Sequence, residues 1–199
     1  MKEYYNCVNC QKKTYKKLIC DDCKTLINDK PIFHYPIENL EFIEVGATYS
    51  GIFKEILLDF KFNDKISHSR VLGDYMIEKL LKHNLANYVI TSVPMTKNRK
   101  NKRGFNQSEI LARYIAKELD LKYEEVFEKI IETPFQVGLD KKERKVNLNN
   151  AFDILTYQDN IIIVDDVITT GATINELVKT AKKNNIKKVA AIIAATEIA

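Results

Sequence analysis

Two adjacent carboxylates, Asp165 and Asp166, follow the apolar run Ile161 to Val164 and precede a turn of small hydroxyl residues and one glycine, Thr169-Thr170-Gly171-Ala172-Thr173. Four β-branched residues in a row predict a buried parallel strand, with the aspartates where it ends. Beyond the turn, Ile174, Leu177, Val178 and Ala181 share one face of a helix running to about Lys183. A turn that opens a helix offers free backbone N–H groups and the positive end of the helix dipole. In open α/β sheets, ligands collect at the carboxyl ends of the strands. Residues 169–173 are therefore expected to cradle a phosphate, and the two carboxylates to hold sugar hydroxyls beside it. A phosphate next to a diol describes a ribose 5-phosphate. Acidic strand ends also occur at metal sites and in other nucleotide-binding folds, so the acid pair alone leaves those readings open.

A second set of chemistry-bearing residues lies at the start of the chain. The four cysteines, Cys7, Cys10, Cys20 and Cys23, form the pattern C-x2-C-x9-C-x2-C. Two such knuckles can deliver four thiolates to one tetrahedral Zn²⁺, and a closed four-sulfur site leaves no open position for chemistry, so the zinc is expected to be structural. A disulfide pair is the competing reading, disfavoured in a chain without secretory features. The loop 11–19 must then be a tight turn or hairpin. Lys12, Lys13, Lys16 and Lys17, with Tyr4, Tyr5 and Tyr15 nearby, have the makings of a nucleic-acid contact or of an ordinary basic surface.

The elements that must position these groups follow from periodicity and breakers. A chain of 199 residues with 45% hydrophobic content supports one full-sized domain plus a small appendage. Its net charge of +4 is too small to imply a nucleic-acid role by itself. Residues 1–30 read as the four-cysteine finger, 31–44 as a linker containing Pro31 and Pro36, and 45–199 as the main α/β domain. Val45 to Tyr49 is a candidate strand, and helices are expected from Gly51 and over about Ser69 to Lys82. Val89 to Val93 is another strand, ending at Pro94. After it, five of the seven residues from Lys97 to Arg103 are basic, and a helix spans about Ser108 to Leu119. That cationic loop should share the sheet edge of Asp165, where Arg99 and Arg103 suit a pyrophosphate or, alternatively, DNA phosphates. Residues 130–149 have weak periodicity and read as a mobile cover carrying Gln136, Arg144 and Asn147. Ala151 to Leu155 is a further strand, and Val189 to Ala195 closes the sheet. His34, His68 and His83 have no ligand-like spacing. No leader peptide or membrane-length apolar run is visible, and a cytoplasmic protein is expected.

The string Asp165-Asp166-x-x-Thr169-Thr170-Gly171-Ala172-Thr173 resembles the phosphoribosyl pyrophosphate (PRPP) motif of type I phosphoribosyltransferases. Two further blocks accompany it. One is Val93-Pro94 with Arg103-Gly104-Phe105-Asn106-Gln107. The other is Thr133-Pro134-Phe135-Gln136 with Glu143-Arg144-x-x-Asn147 and Ala151-Phe152. In order and spacing the three blocks, with the cysteine finger, resemble the ComF family of competence-associated phosphoribosyltransferase-like proteins.

That resemblance implies a type I phosphoribosyltransferase-like fold, a mostly parallel sheet flanked by helices, and a PRPP site. It implies that Asp165 and Asp166 meet the ribose hydroxyls, directly or through Mg²⁺ and water, and are the catalytic pair if transfer occurs. Thr169, Thr170, Gly171, Ala172 and Thr173 would hold the 5-phosphate. Met95, Thr96 and Lys97 would line the pyrophosphate side, helped by Arg99 and Arg103. Family members are associated with natural transformation by single-stranded DNA, with a helicase of the uptake machinery as a partner at family level. Salvage transfer to a nucleobase or amine, and a non-catalytic PRPP-sensing regulator that binds nucleic acid, are the alternative functions.

Overall fold

The computed structural model describes residues 3–31, 33–96, 98, 100–101, 104–131, 148 and 150–197. The expected lid residues Gln136, Arg144 and Asn147, and the cationic Lys97, Arg99 and Arg103, lie outside the described residues.

The finger opens with an antiparallel hairpin, β1 (Tyr4–Asn6) and β2 (Lys13–Tyr15), with Tyr4 opposite Tyr15, followed by the single turn α1 (Asp21–Lys24). The hairpin supplies the tight reversal that the short gap between the cysteine pairs demands. The main body then runs β3 (Ile43–Thr48), α2 (Gly51–Phe62), α3 (His68–Leu80), β4 (Val89–Ser92) and α4 (Gln107–Glu118). It continues through β5 (Phe127–Lys129), β6 (Phe152–Ile154), β7 (Asn160–Ile168), α5 (Ala172–Lys183) and β8 (Lys188–Thr196).

Four strands make one parallel sheet in the order β3-β8-β7-β4. β8 closes the sheet in sequence but not in space, because it inserts between β3 and β7. β5 and β6 form a separate antiparallel pair. Residues 122–124 run beside β4: the Ile90 N–H donates to the Lys122 carbonyl at 2.9 Å, and the Glu124 N–H to that of Ile90 at 3.0 Å.

Alternation along the two inner strands explains why both faces of the sheet are covered. Ile162, Val164, Ala190, Ile192 and Ala194 point into one apolar cluster, with Phe53, Leu57 and Phe60 of α2, Leu72 and Met76 of α3, and Leu111 and Ile115 of α4. Ile161, Ile163, Val189, Ala191 and Ile193 point the other way, against Ile174, Leu177, Val178 and Ala181 of α5. A near-continuous apolar strand is what a two-sided sheet requires, and the alanines of β8 let helices approach closely.

This winding fixes where a ligand can sit. The connection leaving β4 crosses on the first face through α4. The connection leaving β7 crosses on the opposite face through α5. β4 and β7 are neighbours, so the chain diverges at their carboxyl ends and leaves a crevice there. Such a switch point is the usual ligand position in open α/β sheets. Among the described residues, no helix is long and apolar enough to cross a membrane.

Candidate functional site

Asp165 and Asp166 lie inside β7, which continues to Ile168, rather than at its end. On one side the ladder to β8 persists past them, with Asp165 opposite Ile193 and Ile168 opposite Thr196. On the other side β4 stops at Ser92, opposite Val164, with one further bond from the Val93 N–H to the Val164 carbonyl at 3.0 Å. The carboxylates therefore begin where β4 gives out, and they face the crevice.

A cleft of about 240 Å³ occupies this place. Asp165, Asp166, Thr173, Met95 and Thr96 line it, all expected from the sequence, together with Lys61, Asn106, Gln107, Ser108, Lys129 and Phe152. Of the hydroxyl turn, Thr173 alone is in the lining. Thr169 is exposed, and the Thr170 Oγ1 accepts from the Ala172 N–H at 3.4 Å. Gly171 has φ +75°, and a Cβ there would come within 3.3 Å of both Tyr35 and Ile37. The turn thus needs glycine for its left-handed backbone, while the 31–44 segment packs closely against its back. The Tyr35 hydroxyl is 2.6 Å from Thr196 Oγ1, which anchors that segment to the end of β8.

Each carboxylate has a distinct environment. Asp165 Oδ1 accepts from the Ser108 hydroxyl at 2.8 Å and from the Asp166 N–H at 2.9 Å. Burial, then the negative charge of Asp166, pushes its pKa up to about 7, against the opposing pull of Ser108, the Asp166 amide and Lys61. Asp166 pairs with Lys61 Nζ at 2.9 Å, and both side chains are mostly buried, 16% and 14% exposed.

Asn106 connects the two edges of the cleft. As N-cap of α4 it accepts from the Ser108 N–H at 3.1 Å, and its Nδ2 donates to the Val93 carbonyl at 3.0 Å. The cap fixes the first turn of α4, and through it Ser108 meets Asp165. Sequence reasoning did not assign Lys61 or Ser108 to the site. Ser108 stood just after the Asn106-Gln107 signal, one residue inside the helix. Lys61 carried no local signal at all.

In the finger, the four cysteine sulfurs lie within 4.8 Å of one another. Cys10 Sγ and Cys20 Sγ are 3.6 Å apart, close to the edge of about 3.8 Å that Zn–S bonds of about 2.3 Å give a tetrahedron. All four are free thiols. The Cys20 N–H donates to Cys7 Sγ at 3.4 Å and the Asn9 amide to Cys23 Sγ at 3.3 Å. Burial resists ionisation of Cys7, but the amides of Cys10, Cys20 and Asn9 outweigh it and hold the thiol down to about 6. Cys23 is favoured as thiolate by Asn9, yet burial and the three neighbouring sulfurs push it up to about 12. A donor set with one ready thiolate and crowded partners fits a dication better than it fits four protons.

The basic finger surface is less free than its composition implies. Lys12 pairs with Asp22 at 2.8 Å and Lys17 with Asp21 at 2.6 Å. Lys16 lies 5.5 Å from the centre of the Tyr15 ring, and the exposed Tyr4 and Tyr15 rings are 5.5 Å apart. Lys13 is exposed on β2.

No family model matches the chain. Among curated proteins it is 33% identical over 106 residues to competence protein F of Haemophilus influenzae, covering 50% of this chain and 46% of that protein. It is 27% identical over 191 residues to competence protein ComFC of Streptococcus pneumoniae, covering 92% of this chain and 77% of that one. The chain thus spans less than half the length of the Haemophilus relative. A solved hypoxanthine phosphoribosyltransferase from Staphylococcus aureus superimposes on 63% of the chain and 60% of its own length, with a TM-score of 0.38 and 8% identity.

Proposed function

From its kinship with the ComF competence proteins, we propose that this chain is a cytoplasmic PRPP-binding, phosphoribosyltransferase-like factor that acts in natural transformation, in the handling of incoming single-stranded DNA. The observation that carries the reading is the crevice between β4 and β7. There two carboxylates in unlike environments, a helix-opening turn and the loop after Pro94 converge on a cavity of about 240 Å³. The relatives competence protein F and competence protein ComFC support the cellular role.

In this reading the carboxylates accept hydrogen bonds from the ribose hydroxyls. Thr173 and the rest of the turn 169–173 hold the 5-phosphate at the start of α5. Met95 and Thr96 lie on the pyrophosphate side, with Lys97, Arg99 and Arg103 assigned there from the sequence. Gln136, Arg144 and Asn147 belong to the segment that covers the ligand. The reaction open to such a site is displacement of pyrophosphate from ribose C1 by a nitrogen nucleophile, through an oxocarbenium-like sugar. Mg²⁺ arriving with PRPP would be held beside Asp165 and Asp166 and would supply charge neutralisation for the leaving pyrophosphate. The Asp166 carboxylate beside the ring stabilises the cationic sugar.

The finger is held by a structural Zn²⁺ on Cys7, Cys10, Cys20 and Cys23. Its Tyr4–Tyr15 pair, with Lys13 and Lys16, forms a stacking and phosphate-contacting surface for single-stranded DNA. Lys12 and Lys17 contribute less, because each already faces an aspartate. A helicase of the uptake machinery is the partner that this role calls for.

Calorimetry of PRPP, with and without Mg²⁺, tests the reading. Micromolar binding is expected for the wild type and none for the Asp165→Asn, Asp166→Asn double variant. Equal binding by both proteins refutes it. Titration of single-stranded DNA into the same sample should give an affinity that falls steeply with salt.

A further inference from the structure

Lys61 is ion-paired with the acid pair through Asp166, and it reaches the site from α2, an element that no motif tied to it. It sits at the last turn of the helix, with its Nζ 2.9 Å from Asp166 and its side chain 14% exposed. It also lines the cleft. A lysine rarely accepts this degree of burial unless its charge is matched. A surface salt bridge would be incidental; this one lies within the cavity that receives the ligand.

The electrostatic problem of the cleft explains the placement. The proposed ligand is a polyanion, and the residues meant to hold its sugar are themselves acids. Two adjacent carboxylates would repel a pyrophosphate entering the same crevice, and low-dielectric walls strengthen that repulsion. A lysine fixed on Asp166 offsets one negative charge of the site while leaving that carboxylate as an acceptor. It also fixes the carboxylate plane, leaving its unpaired lone pairs for hydroxyl groups.

Resting on the PRPP reading above, we propose that Lys61 is a charge-compensating positioning residue of the site: through Asp166 it sets the sugar-binding carboxylate and makes the acidic crevice receptive to a polyanionic pentose phosphate. It acts through Asp166 and touches no reacting atom.

The test is a double-mutant cycle read by calorimetry at fixed Mg²⁺, with far-UV circular dichroism establishing that each protein is folded. PRPP and ribose 5-phosphate are the two ligands. Lys61→Met is expected to weaken PRPP at least tenfold and ribose 5-phosphate by clearly less, since the latter lacks the pyrophosphate charge. Lys61→Arg, which keeps the charge, should recover most of the loss. In an Asp166→Asn background, Lys61→Met should have little further effect, because the two residues act as a unit. Wild-type affinity in Lys61→Met, equal losses for the two ligands, or additive losses in the double variant each overturn the proposal. If Lys61→Met unfolds, Lys61→Gln replaces it in the same cycle. Wild-type protein that binds no PRPP sinks the function proposed above instead, and that result is read before any variant is made.

Discussion

Asp165 departs far from the ordinary behaviour of an aspartate. An exposed aspartate titrates near about 4; burial and the neighbouring Asp166 push this one up to about 7. The folded state therefore holds its proton more tightly than the unfolded state. Stability from this group is fully present below about pH 4 and is lost as pH rises through about 7. The loss has a ceiling of about 4 kcal/mol, from 1.36 kcal/mol per unit over about three units. Asp165→Asn keeps an oxygen for the Ser108 hydroxyl and the Asp166 N–H but carries no charge. Thermal melts should show the variant more stable than wild type at pH 8, with the difference shrinking toward pH 5. A difference independent of pH would refute the assignment. The acid pair and the hydroxyl turn were legible because their residue types are contiguous. Ser108 and Lys61 were not, because each is brought in by a separate helix and no local pattern records where a helix will dock.

At the scale of elements, the Asn106 side chain does two things with two atoms. Its oxygen caps α4 and its nitrogen holds the end of β4. Asn106→Ala removes both and is expected to cost about 1–3 kcal/mol, a lost cap plus an unpaired, partly buried carbonyl at Val93. Asn106→Ser keeps a capping oxygen but cannot donate to Val93, so denaturant melts should place it between Ala and wild type. Both variants should also weaken PRPP, because the loop 93–96 loses its tether. The sequence read this region as a cationic loop followed by a helix, and the helix was right to within a residue at each end. Helices of twelve or thirteen residues were legible throughout, since each repeats its apolar spacing several times. The β5–β6 pair was only half legible: β6 falls inside the expected 151–155 strand, while three-residue β5 is too short to display an alternation. The extension of β7 through Asp165 to Ile168 was hidden for another reason. Strand pairing is made by backbone, and β8 remains an apolar partner up to Thr196, so two acidic side chains do not end the ladder.

For the molecule as a whole, the decisive contact is between the finger and the sheet's first core. Cys7, Ile19, Cys20, Cys23 and Ile27 belong to the same apolar cluster as α2, α3 and α4. Polar contacts reinforce the docking: Lys79 Nζ donates to the Asp29 carbonyl at 2.5 Å and the Thr48 N–H to the Asn28 carbonyl at 2.9 Å. Arg70 of α3 stacks over Tyr5 at 5.6 Å, and Lys24 over Tyr75 at 5.7 Å. A metal that orders the cysteines therefore orders one wall of the larger core. A finger of this size has little apolar surface of its own, so a metal bound by its four cysteines would supply much of its folding energy. Stripping zinc with a strong chelator should then lower the melting temperature of the main transition, instead of removing a separate small one and leaving the rest unchanged. Cys10→Ser offers a milder version, since Cys10 is the one exposed ligand and its replacement disturbs packing least. Metal loss should also be easier at low pH. Cys20 and Cys23 sit above their ordinary range without metal, so protons compete for their sulfurs and affinity falls as pH falls. Calorimetric scans of the metal-loaded and stripped protein at pH 6 and 8 decide the matter. A main transition indifferent to zinc would mean that the finger rides on the sheet without supporting it.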